Sequence, residues 1–83
     1  MKVLYFAWLR ARTGLGEEEV SPPAGVATVA PLIDWLATRS PGHAAALENR
    51  EIVRAAVNQE FATPDMPVKP GDEVALFPPV TGG

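Results

Sequence analysis

The chemistry that the sequence offers most clearly lies at its C-terminal end. Two glycines, Gly82 and Gly83, follow a mostly apolar segment at residues 77–81. Because glycine has no side chain, the terminal carboxylate can enter a slot too narrow for a Cβ atom. A free α-carboxyl group has a pKa of about 3.3–3.7, so at neutral pH it is ionised and is a poor electrophile. We therefore expect another protein to activate this carboxylate, for instance as an acyl-adenylate.

The remaining side chains do not form a recognisable catalytic set. His43 is the single histidine and adjoins Pro41 and Gly42, so we predict a solvated loop side chain. Ser21 and Ser40 lie in predicted loops without a nearby base, which gives no support to a Ser-His-Asp arrangement. The absence of cysteine excludes disulfides, thiolate metal sites and cysteine nucleophiles. We predict no bound metal or cofactor and no enzymatic activity of the chain alone; ATP would be used by the activating partner.

Composition and charge restrict the class of protein. The chain has 83 residues, of which 47% are hydrophobic, as expected of one small globular domain at residues 1–83. The net charge is −3 and the seven Lys and Arg residues are scattered, which argues against a nucleic-acid partner. No apolar run approaches the roughly 20 residues of a membrane span. Arg10 and Arg12 follow the N-terminal apolar run instead of preceding it, so we expect no secretory signal and a cytoplasmic location.

The N-terminal segment predicts a hairpin of two strands. Residues 2–9 are rich in β-branched and aromatic types and are apolar on both faces, which is typical of a central strand covered twice. Residues 13–16 predict a turn, and residues 17–21 predict a short edge strand whose acidic side chains discourage unwanted pairing. We expect Glu17–Glu19 to be a solvated edge and not an acid–base set, because alternate side chains point to opposite faces.

One amphipathic helix is predicted after a loop at residues 21–25. Thr28 suits the N-cap position, because its hydroxyl can accept a free first-turn N–H. Pro31 falls in the first turn, where a missing N–H costs little. Apolar side chains then recur with helical spacing at Val29, Leu32, Ile33, Leu36 and Ala37. Residues 40–42 end this helix, and residues 44–47 predict one further helical turn.

The C-terminal half predicts the remaining strands. Residues 52–57, 60–62 and 73–77 have strand composition, and residues 58–59 form a turn between the first two. Residues 69–72 carry proline in the second position and glycine in the third, which predicts a type II turn.

This order of elements predicts an α+β fold of the β-grasp, ubiquitin-like kind. A mixed sheet of four to five strands, with one main helix packed on one face, accommodates all the predicted elements. The first and last strands are the most apolar, so we place them side by side in the middle, joined through a right-handed crossover. Residues 78–83 then project as a tail. Pro78 and Pro79 favour extended geometry, with a reach of at most about 20 Å.

Four segments resemble the small-subunit family of molybdopterin synthases. They are residues 2–12 (KVLYFAWLRAR), 55–59 (AAVNQ), 69–75 (KPGDEVA) and 77–83 (FPPVTGG). A terminal Gly-Gly alone is a weak signal. Gly-Asp-Glu-Val, followed at short spacing by Phe-Pro-Pro-Val-Thr-Gly-Gly at the chain end, is specific. The resemblance runs essentially from end to end and implies a ubiquitin-like sulfur carrier domain.

The resemblance implies that Gly83 is the acyl and sulfur carrier and that Gly82 is a slim neck. An adenylyltransferase related to ubiquitin-activating enzymes would adenylate Gly83 with ATP, and a sulfur donor would convert it to a thiocarboxylate, 1-thioglycine. The tail would then enter the large, catalytic subunit, where the sulfur passes to cyclic pyranopterin monophosphate during molybdenum cofactor biosynthesis. By family analogy the complex is a heterotetramer, and this chain is its non-catalytic subunit.

The resemblance also implies a surface that binds the large subunit. If the helix covers one parity of the first strand, Phe6, Trp8 and Arg10 share the other face. Ala75 and Phe77 share that face on the last strand. An apolar patch with an arginine at its margin is typical of a partner interface; the alternative is that these aromatic residues complete a small core. The predicted partner-binding residues are Phe6, Arg10, Phe61, Phe77, Pro78, Pro79, Val80 and Thr81.

Three other functions fit parts of the sequence. A sulfur carrier for thiazole synthesis has the same shape, but such carriers are generally shorter and lack the Phe-Pro-Pro-Val-Thr segment. A ubiquitin-like modifier of target lysines uses the same activation chemistry. A plain interaction module with an inert tail would work equally well without Gly83.

Overall fold

The computed structural model describes residues 1–79, which form one five-stranded mixed sheet with the strand order β2-β1-β5-β3-β4. β1 pairs with β5 in parallel, and the other three pairs are antiparallel. The predicted central position of the first and last strands is confirmed. The strands are β1 (Lys2–Tyr5), β2 (Glu17–Glu19), β3 (Arg54–Val57), β4 (Glu60–Ala62) and β5 (Glu73–Phe77).

Three short helices accompany the sheet: α1 (Trp8–Thr13), α2 (Val29–Leu36) and α3 (Pro41–Ala46). A 3-10 turn at Arg50–Ile52 precedes β3, so that strand begins two residues later than predicted. Thr28 occupies the predicted N-cap of α2 in an extended conformation, although its side chain makes no capping hydrogen bond. Among residues 1–79, no helix has the length and apolar run that crossing a bilayer requires.

The hydrophobic core lies between α2 and one face of the sheet. The apolar stripe of α2 is buried as its spacing predicts, and the strands contribute every second side chain to the same core. Full burial of one such aliphatic side chain contributes about 1.5–3 kcal/mol to stability. The predicted α+β, β-grasp fold is confirmed. The core side chains of the helix and central strands are Val29, Leu32, Ile33, Leu36, Val3, Tyr5, Ala55, Val74 and Leu76.

The first strand is shorter than predicted. β1 ends at Tyr5, and α1 begins at Trp8 after a turn in which Ala7 has φ 55°. Residues 2–9 are apolar on both faces because two different elements share the segment: a strand that buries alternate residues and a helix that buries Leu9. The ring of Trp8 lies 4.8 Å from the guanidinium carbon of Arg12. That i,i+4 contact is helical, not strand-like.

The turn before β5 has the predicted geometry. Gly71 has φ 90°, a conformation that side chains disfavour, and the N–H of Asp72 donates to the carbonyl oxygen of Lys69 at 3.1 Å. The turn between β3 and β4 is also where it was predicted, with positive φ at Asn58 and Gln59. The side chain of Asn58 accepts from the N–H of Glu73 at 3.0 Å, which ties the two turns together.

Candidate functional site

The face of the sheet opposite α2 carries a continuous row of apolar side chains. Strand register places Leu4 opposite Ala75, Ala75 opposite Ala56, and Ala56 opposite Phe61. Side chains of directly opposed residues project to the same face. The row therefore crosses β1, β5, β3 and β4, with two alanines between larger residues. We call this side of the sheet the open face.

Three phenylalanines mark the open face and its end nearest the tail. Phe61 is 81% exposed and Phe6 is 48% exposed, whereas Phe77 is half-buried. The ring centroids of Phe61 and Phe77 are 5.9 Å apart, within the range of a favourable aromatic pair. We call Phe6, Phe61 and Phe77 the aromatic surface. An 81% exposed Phe61 does not complete a core, and exposed apolar groups of this size typically mark interaction sites.

Two residues predicted on this face lie elsewhere. The prediction that Trp8 and Arg10 share a strand face with Phe6 is wrong, because both belong to α1. A Cβ atom at Gly16 would lie 3.2 Å from the guanidinium carbon of Arg10, so this arginine packs across the start of β2. Arg10 remains exposed, and within residues 1–79 it makes no salt bridge. Its predicted contact with a partner stays a prediction.

The root of the tail is held by the centre of the sheet. β5 is paired on both sides, and the N–H of Phe6 donates to the carbonyl oxygen of Leu76 at 3.1 Å. Pro78 and Pro79 follow directly and are half-buried. Residues 80–83 lie outside the described residues. The predicted contacts of Val80 and Thr81, the neck at Gly82 and the carrier group at Gly83 therefore stay predictions.

A buried polar cluster was not predicted from the sequence. Within β2, Glu18 turns inward; its carboxylate accepts from the hydroxyl of Tyr5 at 2.7 Å and from Arg39 at 3.1 Å, and the Nε2 atom of His43 lies 2.7 Å away. His43 is 4% exposed in α3, so the prediction of a solvated loop side chain is wrong. The sequence signal was the Ser40-Pro-Gly-His spacing, since Ser40 caps α3 by accepting from the N–H of His43 at 3.1 Å.

The protonation of this cluster follows from its geometry. Burial by itself would raise the pKa of Glu18, but hydrogen bonds from His43 and Tyr5 and the charge of Arg39 hold that pKa below its usual value. Burial and the adjacent carboxylate raise the pKa of Tyr5. Because an ionised carboxylate only accepts, Nε2 of His43 carries a proton. In the neutral ring, Nδ1 then accepts from the hydroxyl of Ser40, 2.7 Å away.

The Ser40–His43–Glu18 connectivity is that of a Ser-His-acid relay, but its setting is structural. The Ser40 oxygen is already engaged as the cap of α3. The cluster joins β1, β2 and α3. Among the described residues, every buried polar side-chain atom has a hydrogen-bond partner. We assign it to stability.

The helix side of the sheet holds a cavity with a largely apolar wall. About 360 Å³ of space lies between α2 and β3, with Ile33, Val53 and Ala55 in its wall. At the rim, Arg50 donates to Asp34 at 3.0 Å. No cluster of three potential metal-ligating side chains occurs among residues 1–79. The candidate functional site is therefore the aromatic surface together with the root of the tail at the end of β5.

Comparison with known proteins identifies the family of this chain. Residues 3–83 match the sequence model of the ThiS family. The chain belongs to the ThiS family. This ThiS-family chain is 46% identical to the molybdopterin synthase sulfur carrier subunit of Escherichia coli, over 100% of its own length and 99% of the relative. The resemblance inferred from the four sequence segments is thereby confirmed.

Solved structures show the same fold. The ThiS-family chain superposes on a Pyrococcus furiosus structure named for molybdopterin converting factor, subunit 1, with a TM-score of 0.78 and 37% identity, covering 95% of each chain. It is similar to the small archaeal modifier protein 1 of Haloferax volcanii, with a TM-score of 0.75 and 30% identity, covering 96% and 97% of the two chains. It also shares the fold of a chain in the Helicobacter pylori complex of subunits 1 and 2 of molybdopterin-converting factor, at 22% identity and a TM-score of 0.63, covering 99% and 96%.

Proposed function

We propose that this chain is the sulfur carrier subunit of a molybdopterin synthase. The observation that carries the proposal is the position of β5. This central strand presents Phe77 on the open face and continues directly into Pro78 and Pro79, so one rigid element leads both to a docking surface and to the tail. The full-length similarity to the sulfur carrier subunit of Escherichia coli supports the same function.

The chemistry takes place at the carboxylate of Gly83. An activating enzyme joins the carboxylate to AMP from ATP and releases pyrophosphate. A donor of sulfide-level sulfur then attacks the acyl carbon and displaces AMP, which leaves a thiocarboxylate on Gly83. The thiocarboxylate sulfur attacks cyclic pyranopterin monophosphate, and water then cleaves the acyl–sulfur bond, so that the sulfur stays on the pterin and the carboxylate of Gly83 is restored. The sequence has no cysteine, so no thiol of this chain competes for the sulfur.

The partner in this proposal is the large subunit, which supplies the catalytic groups. The Helicobacter pylori structure named for a complex of subunits 1 and 2 supports such a partner. The aromatic surface is the docking site, because burying exposed phenylalanine side chains releases water from apolar area. A heterotetramer in the cytoplasm is the assembly that family analogy favours.

Intact-mass analysis tests the carrier function. The chain is produced with its activating enzyme and sulfur donor, and its C-terminal peptide is measured. We expect a fraction that is heavier by the difference between sulfur and oxygen and that maps to Gly83. A variant with one alanine appended after Gly83 is the control and should show no such fraction. An unmodified terminus in the presence of both enzymes would contradict the proposal.

A second candidate is a protein modifier. The similarity to small archaeal modifier protein 1 favours it, because that protein shares both fold and 30% sequence identity. A modifier forms isopeptide bonds, so immunoblots of cells expressing a tagged chain would show conjugates of higher mass. A carrier that acts only in sulfur transfer would show none.

A further inference from the structure

The backbone of Ala7 is held in a conformation that suits glycine. Ala7 has φ 55° and ψ −132°, and the N–H of Leu9 donates to the carbonyl oxygen of Phe6 at 3.1 Å. Residues 6–9 therefore form a type II′ turn with Ala7 in the first central position. A Cβ atom is disfavoured at that position because it approaches the neighbouring backbone.

The structure around the turn prevents Ala7 from relaxing. On one side, the N–H of Phe6 is bonded to Leu76 of the central strand β5. On the other side, Leu9 is fully buried in the core. The chain must pass from a strand to a helix between these two anchors, so the positive φ is imposed by the fold.

Nothing in the described structure compensates for the alanine side chain. Ala7 is exposed, so its methyl group adds nothing to the core. Its carbonyl oxygen accepts from the N–H of Ala11 in α1 at 3.3 Å, a backbone hydrogen bond that glycine would make equally well. The other positive-φ residues outside glycine are Asn58 and Gln59. Asn58 is a residue type that tolerates this region, and its side chain bonds Glu73 and Asp72. For the isolated subunit, glycine would serve the turn at Ala7 at least as well.

The turn borders the docking surface. Ala7 directly follows Phe6, which continues the open-face parity of Leu4, and the Phe6–Leu76 hydrogen bond places the turn one residue from Phe77. We propose that Ala7 is a specificity-determining contact of the carrier: the partner subunit covers its methyl group, and the restricted turn fixes the angle at which Phe6 is presented. This inference rests on the proposed function. An alanine turn has fewer alternative conformations than a glycine turn, so less conformational entropy is lost on binding.

Replacing the alanine separates folding from binding. In A7G, relief of the steric conflict outweighs the extra freedom of the unfolded chain, so the folding equilibrium constant should stay level or rise by about two- to fivefold. Affinity for the large subunit should fall at least about fivefold, because an apolar contact and the fixed turn are both lost. Replacement of a purely structural alanine would not lower the affinity while the stability is kept or raised.

The experiment measures urea unfolding and calorimetric binding of the full chain to the large subunit from the same source. Gln59→Gly is the matched control. Gln59 also has a positive φ, 71°, but it follows the end of β3 that is distant from Phe77. This variant should therefore gain similar stability and bind the large subunit like the wild type. A7G that binds within twofold of the wild type would overturn the inference, as would A7G that is less stable than the wild type. Failure of the wild type itself to bind would count against the proposed function.

Discussion

At the scale of single residues, the exposed part of the aromatic surface can be changed without disturbing the core, which makes its proposed role in binding testable. Phe61 is 81% exposed and touches the core little, whereas an apolar residue at an interface centre can dominate the binding energy. Strand parity and the resemblance to the small-subunit family predicted Phe6, Phe61 and Phe77 as partner-binding residues, and that role stays a prediction. The same parity placed Trp8 and Arg10 wrongly, because an apolar run does not by itself show where a strand gives way to a helix.

Truncation of Phe61 should weaken assembly without unfolding the chain. We expect Phe61→Ala to reduce affinity for the large subunit by about 2–3 kcal/mol, since a central aromatic contact is removed. Its unfolding midpoint should change little. Phe77→Ala should also weaken assembly, with some loss of stability because Phe77 is half-buried. Isothermal titration and urea unfolding check both. Ile52→Ala, at a 41% exposed position outside the strands, is the control; equal losses for Ile52 and Phe61 would refute a specific site.

The half-buried carboxylate of Glu18 predicts a pH dependence of stability. The fold lowers the pKa of Glu18. The ionised carboxylate therefore makes its full contribution to folding stability at pH values above the pKa of the unfolded chain, about 4.3. That contribution is lost as the pH falls through the lower pKa of the folded protein. Glu18→Gln removes the charge that Tyr5, His43 and Arg39 share, which should cost about 1–3 kcal/mol at neutral pH.

Unfolding measured from neutral pH to about pH 3 tests this prediction. The stability of the wild type should fall more steeply than that of Glu18→Gln. Glu17→Gln is the matched control on the same strand. Its side chain is 61% exposed and pairs with an exposed Lys2, so the change should cost no more than about 1 kcal/mol. Parallel pH profiles for Glu18→Gln and the wild type would exclude Glu18 as the responsible group.

At the scale of elements, a glycine sets the contact between α1 and α3. A Cβ atom on Gly42 would lie 2.5 Å from the backbone carbonyl oxygen of Arg12, so the two helices would have to separate. Alanine is favoured over glycine within a helix by about 1 kcal/mol. Overpacking against a rigid backbone costs about 1–3 kcal/mol, so the cost of the clash should exceed the gain in helix propensity.

Gly42→Ala should therefore lower stability by up to about 2 kcal/mol in urea unfolding. Gly16→Ala is the control, because its added methyl group would meet the end of the flexible Arg10 side chain, which can move away. If both variants lost the same stability, the close approach of α1 and α3 would not be the cause.

The elements that sequence predicted well are those with a local signal. Helical spacing located α2, and Pro-Gly chemistry located the turn before β5. The exit from β1 had no such signal, because the positive φ of Ala7 is imposed by the distant partner Leu76 and by burial of Leu9. The burial of His43 likewise depends on Glu18, which is 25 residues away in the chain. Tertiary contacts of this kind cannot be inferred from local composition.

At the scale of the whole molecule, the described core and the proposed reactive group occupy different parts of the chain. The core and the polar cluster lie within residues 1–79, while the proposed reactive group lies at Gly83. We therefore expect the stability of the body to be independent of Gly83, and β5 supplies the root from which the tail leaves the sheet. Such a division suits a carrier that several enzymes must handle in turn.

Deletion of Gly83 tests this division. The unfolding midpoint should match the wild type, and affinity for the large subunit should fall less than in Phe61→Ala, because the aromatic surface is intact. Product formation with the activating enzyme and sulfur donor should be lost completely, since the shortened chain no longer presents the acyl group at the required reach. Because the chain contains no cysteine, sulfur could not be carried on a thiol elsewhere in it. Product formation at the wild-type rate by the shortened chain would show that the C-terminal carboxylate is not the carrier.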